Sequence, residues 1–277
     1  TKIYEFSCGK KSTNNFENLY KENLNTILKI SSLIKKSKNN KYKQKRNYEG
    51  EFLNIDACIE NIISFKSGNE VDGKIYDKIA KNPLDSSLMM LLDISKSTNR
   101  KIKPNNKKIL DLEIESCAII AESLQRNNQN FAISAFCSNT REEIRYYKIK
   151  KFNEKFSKMT ESRLSNLKSE YSTRLGAAIR YSYKEIEKIT SHRKLLLVLS
   201  DGEPSDIDIK DKNYLVEDAK RAVVLAKQKG IDVFCFGIED KKNLYLEKIF
   251  GKKNSIRINN LQNLHNKIAQ IYLKLTV

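Results

Sequence analysis

The sequence predicts an α/β protein with a Rossmann-like, doubly wound and mostly parallel sheet, preceded by a mainly helical N-terminal segment. The first observation behind this prediction is that short apolar runs alternate with longer segments whose apolar residues are spaced three and four apart. The runs lie at 87–94, 131–137, 194–200 and 231–238, and the segments at 108–126, 173–189 and 215–229. Buried strands that alternate with amphipathic helices are typical of a parallel sheet covered on both faces.

The second observation is a short connection that predicts one antiparallel edge strand. Only the residues SNTREE join the apolar run at 131–137 to IRYYKIKKF at 144–152. Because a parallel crossover needs about a dozen residues, these two runs must form an antiparallel hairpin. A final strand near 255–258 and a C-terminal helix at 261–275 complete the predicted domain.

Residues 1–86 are predicted to form a helical N-terminal segment with a basic linker, ahead of the α/β domain at 87–277. Apolar residues recur at helical spacing in 14–34 and again in 54–66. Between these two segments, the stretch from Lys35 to Arg46 holds seven basic residues and no acid. This composition indicates an exposed linker or flexible loop.

Net charge and hydropathy indicate which kinds of partner to expect and whether a membrane span is predicted. The 277 residues include 52 basic and 34 acidic side chains, a formal net charge of +18, which favours acidic partners such as nucleic acid, membrane or an acidic protein. The basic stretch contains a single aromatic residue, Tyr42, and no recognisable nucleic-acid-binding module, so we expect most of the excess charge to be solvated surface. No apolar stretch reaches about 18 residues, and no membrane span is predicted.

The cysteines predict a reduced, cytoplasmic protein. None of the five forms a CxxC pair, and neither His192 nor His265 lies near a cysteine, which argues against a zinc site. The N-terminal TKIYEFSCGKK lacks the apolar core of a signal peptide. The chain also begins without Met, as an internal fragment would.

Oxygen-bearing side chains stand at three places in the predicted sheet. Asp93, Ser95 and Ser97 follow the first apolar run, Thr173 precedes an amphipathic segment, and Asp201 follows the run at 194–200. In a doubly wound sheet, ligands bind beyond the carboxyl ends of the strands, where the strand order reverses. We therefore expect these side chains to meet at one rim, in an extended turn that places Asp93 and both serines on one side.

Each of these groups also has an explanation that involves no ligand. Asp93 could belong to a polar turn or a helix cap, Ser172 or Thr173 could be the N-cap of a helix, and Asp201 could face water. Taken together, carboxylates and hydroxyls make a hard oxygen set that suits Mg²⁺ or Mn²⁺. Soft metals would require His or Cys.

Three further acids follow Asp201 in the same stretch: Glu203, Asp206 and Asp208. They are not assigned to the metal. They could orient waters, pair with basic residues of a partner, or form a solvated loop.

The motifs DISKS at 93–97, TRLG at 173–176 and SDG at 200–202 resemble the metal-ion-dependent adhesion site of von Willebrand factor A (VWA) domains. The resemblance covers about residues 87–277 and implies the VWA fold. It also implies the metal ligands: Asp93, Ser95, Ser97, Thr173 and Asp201, the last through water. In that family, one position of the ion is left to a water that the Asp or Glu of a partner replaces.

A narrower resemblance concerns LLDISKSTN, YSTRLGAAIRYSYKEI and LLLVLSDGEPSDID, which are similar to VWA proteins of the NorD and CbbO type. These are bacterial partners of MoxR-family AAA+ ATPases. The resemblance implies a non-enzymatic adaptor that grips a target enzyme while the hexameric ATPase remodels it, as in the activation of nitric oxide reductase or Rubisco. The chain lacks most of the long N-terminal region typical of those proteins.

Other functions stay open. A VWA subunit of a metal chelatase would carry the same site, and only its partner would distinguish it. A Mg²⁺-dependent phosphatase of the haloacid dehalogenase type also begins with a strand ending in Asp, but its second acid is replaced here by Ser95. Because the sequence has neither a GxSxG elbow nor a Walker A motif, no enzymatic activity is predicted.

Overall fold

The computed structural model describes residues 2–6, 16–38, 41–81, 85–102, 107–201, 204–209, 211–237 and 244–257. The chain divides into two compact units. A large unit contains the residues up to Ile34 and those from Asp85 onward, and a small unit contains Lys35–Leu84. The boundary at Asp85 lies close to the predicted one at residue 86. The residues up to Ile34, predicted as part of a separate N-terminal segment, belong instead to the large unit, because the first two helices pack in its core.

In chain order, the strands are β1 (Ile3–Phe6), β2 (Lys41–Asn47), β3 (Phe52–Leu53), β4 (Tyr76–Lys81), β5 (Ser86–Asp93), β6 (Lys101–Ile102), β7 (Lys107–Lys108), β8 (Asn130–Ser138), β9 (Ile144–Lys150), β10 (Arg193–Ser200), β11 (Ile231–Gly237) and β12 (Ser255–Arg257). The helices are α1 (Phe16–Glu22), α2 (Leu24–Lys38), α3 (Ile55–Lys66), α4 (Ile109–Arg126), α5 (Lys158–Ser165), α6 (Leu175–Glu187), α7 (Lys212–Gln228) and α8 (Leu244–Phe250), with a 3₁₀ helix at Lys96–Asn99.

Over the described ranges, the large unit is built on a seven-stranded sheet in the order β1-β9-β8-β5-β10-β11-β12. The pairs from β8 to β12 are parallel, and β8 pairs antiparallel with β9, which confirms the predicted mostly parallel sheet and its hairpin. However, β9 is not the edge strand, because β1 pairs with it in parallel and lies outside it. The segment before the predicted domain therefore completes the sheet.

Hydrophobic side chains cover both faces of the sheet. Along β5, Met90 and Leu92 pack in one apolar cluster with α4, whereas Met89 and Leu91 pack in a second cluster with α6 and α7. This alternation follows from the two-residue period of a strand. It explains why the strands read as continuous apolar runs in the sequence.

The N-terminal helices belong to the first of these clusters. Phe16 of α1 and Ile27, Ile30 and Ile34 of α2 are buried there. The hydroxyl of Tyr20 also donates a hydrogen bond of 2.8 Å to Glu161 of α5. The helical prediction for 14–34 is thus confirmed over α1 and α2, and these helices are part of the large unit's core.

The small unit corrects the prediction of a basic linker from Lys35 to Arg46. Its first residues continue α2 as far as Lys38, and β2 then pairs antiparallel with β4. The buried Asp77 carboxylate of β4 lies 2.9 Å from the Lys43 ammonium. Hydrogen bonds from Asn54 and from Lys43 lower the pKa of Asp77. Part of the predicted linker is therefore a strand, and the acid on the neighbouring strand pairs with one of its lysines.

Helix α3 confirms the predicted amphipathic helix at 54–66. The Asn54 side chain caps it by accepting a hydrogen bond from the amide of Ala57. Its apolar positions, Ile55, Ile59, Ile62 and Ile63, are nevertheless exposed. The small unit therefore does not use this face as its own core.

Two sequence predictions at the C-terminus have different outcomes. The last predicted strand is confirmed as β12, while the helix predicted at 261–275 lies outside the described residues. Among the helices that the structure describes, none is long and apolar enough to cross a membrane.

Gly176 allows α6 to approach α7 closely, and this contact gives a first prediction. A Cβ at this position would lie 2.9 Å from the Asp218 carbonyl carbon and 3.0 Å from the Ala219 nitrogen. Gly→Ala in a helix ordinarily stabilises by about 1 kcal/mol. Here we expect Gly176→Ala to lower the free energy of unfolding by about 1–3 kcal/mol, because the backbones must separate. Urea unfolding measures this change, and a stabilised variant would contradict the proposed packing.

Candidate functional site

Asp93 is the buried centre of the candidate site. It ends β5, and its carboxylate accepts hydrogen bonds from the Ser95 amide at 3.0 Å and from the Ser200 hydroxyl at 2.8 Å. Burial, followed by the negative charge of Asp201, raises the pKa of Asp93 to about 7. A carboxylate in such an environment gains stability from any positive charge placed beside it.

Ser95 and Ser97 lie in a tighter turn than the extended one that the sequence predicts. Residues Lys96–Asn99 form a 3₁₀ helix, and the Thr98 hydroxyl closes it by donating to the Ser95 carbonyl at 2.8 Å. The turn brings the hydroxyl oxygens of Ser95 and Ser97 to 2.8 Å from each other. Ser95 is buried and Ser97 is exposed, so this pair leads from the protein interior to the surface.

Thr173 contacts Asp93 and does not cap helix α6. The helix begins at Leu175 with Arg174 at the N-cap position, where no side-chain capping bond forms. The hydroxyl of Thr173 lies 3.3 Å and 3.2 Å from the two carboxylate oxygens of Asp93. Its backbone exchanges hydrogen bonds with Ser205 at 2.8 Å and 3.2 Å. The helix-cap explanation of Thr173 is therefore not supported.

Asp201 follows β10, the strand that pairs in parallel with β5. It is buried, and its charge contributes to the raised pKa of Asp93. The two carboxylates thus lie at the carboxyl ends of neighbouring central strands, as the sequence predicts. Gly202 and Glu203 lie outside the described residues.

Asp206 and Asp208 bind Arg174 within the protein, a role that the sequence did not reveal. The Arg174 guanidinium donates to Asp206 at 2.7 Å and to Asp208 at 2.5 Å. The side chains of Arg174 and Asp206 are only 6% and 0% exposed. This ion-pair network ties the loop after β10 to the residue that follows Thr173. In the sequence, the indications of this network were the position of Arg174 directly after Thr173 and the spacing of Asp206 and Asp208 two residues apart.

Glu113 of α4 is a second residue that the sequence analysis missed. Both of its carboxylate oxygens are buried and lack a hydrogen-bond partner among the described residues. Burial raises the pKa of Glu113 well above its usual range, and the charges of Asp93 and Asp201 raise it further. The signal was an acid at a position that continues the apolar stripe of α4 beside Ile114.

Three acids therefore influence one another in a poorly hydrated region, but they do not form a cage. In the ranges that the structure describes, no group of three or more His, Cys, Asp or Glu side chains is placed to hold a metal ion. A cation at this rim would therefore need the hydroxyls of Ser95, Ser97 and Thr173. Such a mixed set of carboxylate and hydroxyl oxygens is chemically suited to a hard divalent cation.

The Arg174 network gives a second prediction. Arg174→Met leaves Asp206 buried without its partner, so we expect the free energy of unfolding to fall by about 3–5 kcal/mol. The control is Arg126→Met, which breaks an exposed i,i+4 pair with Glu122 and should change stability by less than about 1 kcal/mol. Urea unfolding of both variants provides the comparison. Equal effects would show that the buried network has no special structural role.

Comparison with known proteins identifies the family of the domain that carries this site. The von Willebrand factor type A domain matches residues 87–272. The protein NorD of Brucella melitensis is 28% identical over 224 residues, which cover 81% of this chain and 35% of that protein. The protein NorD of Stutzerimonas stutzeri is 30% identical over 203 residues, which cover 73% of this chain and 33% of that protein. The chain thus spans about a third of the length of these relatives.

Solved structures agree on the fold. The vWF domain of the type V pili tip protein Mfa5 from Porphyromonas gingivalis superposes with a TM-score of 0.52 and 11% identity, covering 69% of this chain and 96% of that chain. The pilus adhesin SpaC from Lactobacillus rhamnosus GG gives a TM-score of 0.51 and 14% identity, covering 70% of this chain and 31% of that chain. On the match to residues 87–272, the chain belongs to the von Willebrand factor type A domain family, and it is homologous to NorD proteins over most of its length.

Proposed function

We propose that this chain is a non-enzymatic VWA adaptor that binds Mg²⁺ or Mn²⁺ at the rim around Asp93 and, through it, an acidic group of a partner protein. The observation that carries the proposal is the approach of the Thr173 hydroxyl to both carboxylate oxygens of Asp93. Thr173, which is distant from Asp93 in the sequence, therefore lies beside the carboxyl end of strand β5. The proposed ligands are Asp93, Ser95, Ser97, Thr173 and Asp201.

The charges of the site support a cation. Asp93 and Asp201 are both buried, and the pKa of Asp93 is raised to about 7 mainly by burial. A divalent ion would compensate this buried negative charge. Because Asp201 would act through water, Asp93 would be the one carboxylate in direct contact with the ion, and the ion would keep an attraction for a further carboxylate.

The position of the hydroxyls supports an opening toward a partner. Ser97 is exposed, whereas its neighbour Ser95 is buried. A partner's Asp or Glu would therefore approach from the side of Ser97. The Arg174 network would hold the adjacent loop in place while the partner binds, since Asp206 and Asp208 are both paired with that guanidinium.

The similarity to NorD supports a more specific role. We propose that the chain works with a MoxR-family AAA+ ATPase hexamer and grips a target enzyme, as in the activation of nitric oxide reductase or Rubisco. Identity of 28–30% over 73–81% of the chain favours this role over that of a metal chelatase subunit. A haloacid dehalogenase-type phosphatase is disfavoured, because Ser95 occupies the position of the general acid.

Metal binding is tested by thermal unfolding. We expect MgCl₂ or MnCl₂ to raise the melting temperature, since a ligand that binds only the folded state stabilises it. Asp93→Ala should abolish this increase, and the control Asp111→Ala, which removes an exposed carboxylate at the start of α4, should retain it. Identical melting curves of the unaltered chain in Mg²⁺ and in EDTA would contradict the proposal.

The partner is tested by affinity capture from a lysate of the native organism, with Asp93→Ala as the matched control. We expect the unaltered chain to retain a MoxR-family ATPase together with its target, and the variant to lose the target. Recovery of a chelatase complex would assign the chain to that alternative. Recovery of nucleic acid alone would contradict the adaptor role.

A further inference from the structure

We infer that Glu113 of helix α4 is a further residue of the cation site, where its carboxylate accepts a hydrogen bond from a water that the ion holds. The inference rests on the proposed binding of a divalent cation at the rim around Asp93. Glu113 lies outside the motifs that indicate this rim, in the second turn of a helix whose buried face is otherwise mostly apolar. It would tie α4 to the ion, in addition to the turn after β5 and the entry to α6.

The first observation is the height of Glu113 along the sheet. The Cys117 sulfur of α4 lies 3.8 Å from the Met90 sulfur of β5, so the helix passes the strand at this level. Because β5 and β8 are parallel, the helix that connects them runs opposite to β5. Glu113 precedes Cys117 by four residues, about 6 Å of helix, and Asp93 follows Met90 by three residues, about 10 Å of strand. The backbones of Glu113 and Asp93 thus differ by only about 4 Å in height.

The second observation is that Asp201 and Glu113 lie on the same side of the sheet. Leu199 of β10 packs in the apolar cluster that contains α4, whereas Val198 packs in the cluster of α6 and α7. Asp201 is two residues after Leu199, so the two-residue period of a strand places it on the side of α4. Glu113 is buried on that side, beside Ile114 of the same cluster. The two acids also interact, since the charge of Asp201 contributes to the raised pKa of Glu113.

The third observation is that Glu113 is buried without a hydrogen-bond donor. The residue is 0% exposed, and neither carboxylate oxygen has a partner in the portion of the chain that the structure describes. Protonation would remove the charge, but the new O–H would still lack an acceptor there, and a buried polar group without a partner is unfavourable. A leucine would continue the apolar face of α4 without this cost. The carboxylate is therefore better explained by a ligand than by packing.

The chemistry of a metal's outer shell accounts for these observations. Asp201 is proposed to reach the ion through a water, and such a water has two hydrogens to donate. Asp201 accepts one of them, and Glu113, on the same side of the sheet, accepts the other. Direct coordination by Glu113 is not supported, because within the described ranges no three acidic, cysteine or histidine side chains are placed to hold an ion. Groups that orient a metal's ligands from outside typically contribute about 10–100-fold to metal affinity.

Titration of the full chain with Mn²⁺, with the free ion measured by electron paramagnetic resonance, tests this role. We expect Glu113→Leu to weaken Mn²⁺ binding at least about tenfold. Glu113→Gln should weaken it less, by about threefold or more, because the amide oxygen can still accept a hydrogen bond from the water. The matched control is Glu115→Gln, which removes a carboxylate from the same helix where it pairs with Lys107. Its affinity should stay within about twofold of that of the unaltered chain.

The melting temperature in EDTA separates a role at the ion from a structural one. Glu113→Leu should not lower it, because an apolar side chain replaces a buried acid that lacks a partner. If Glu113→Leu does not fold, the isosteric Glu113→Gln keeps the test valid. Unchanged Mn²⁺ affinity in the folded Glu113 variants, while Asp93→Ala loses the ion, would overturn this inference alone. Absence of Mn²⁺ binding by the unaltered chain would overturn the proposed metal site and this inference with it.

Discussion

The buried carboxylate of Asp93 is the constraint on which the rest of the site depends. It stands at the end of the central strand β5, where removing an ionised group from water is unfavourable unless other groups compensate it. The protein supplies the Ser95 amide and the hydroxyls of Ser200 and Thr173. These donors come from three separate segments, so one side chain fixes the relative positions of the turn after β5, the end of β10 and the entry to α6.

The hydrogen-bond donors around Asp93 compensate its negative charge only in part, because other acids lie in the same region. Burial and then the charge of Asp201 raise the pKa of Asp93, and burial followed by the charges of Asp93 and Asp201 raises the pKa of Glu113. Arg174, the cationic residue that follows Thr173, is engaged by Asp206 and Asp208. The outer acids of the rim are thus paired with Arg174, whereas burial and neighbouring negative charge raise the pKa of Asp93 and Glu113 at its centre, and a bound cation would relieve both effects.

Much of the fold could be predicted because it depends on local patterns. Continuous apolar runs identify β5, β8, β10 and β11, and the short SNTREE connection requires an antiparallel β9. Two features could not be predicted because they depend on pairing between distant segments. The short exposed strand β1 has no recognisable sequence pattern, and it is defined by its pairing with β9. The basic strand β2 is defined by its pairing with β4, which also brings Asp77 to Lys43. For the site, motif spacing predicted Asp93, Thr173 and Asp201 at one rim. The position of Glu113 in the apolar stripe of α4 indicates burial, but it does not show that Glu113 faces Asp93 and Asp201.

The central claim is that Asp93, the two serines, Thr173 and Asp201 form one divalent cation site. The most direct measurement is an anomalous difference map from crystals grown with MnCl₂ and recorded on both sides of the manganese absorption edge. We expect one strong peak in contact with the hydroxyls of Ser95 and Ser97, beside Asp93 and Thr173, that is missing in crystals of Asp93→Ala. A map without a peak at this rim, or with manganese bound only elsewhere, would contradict the account.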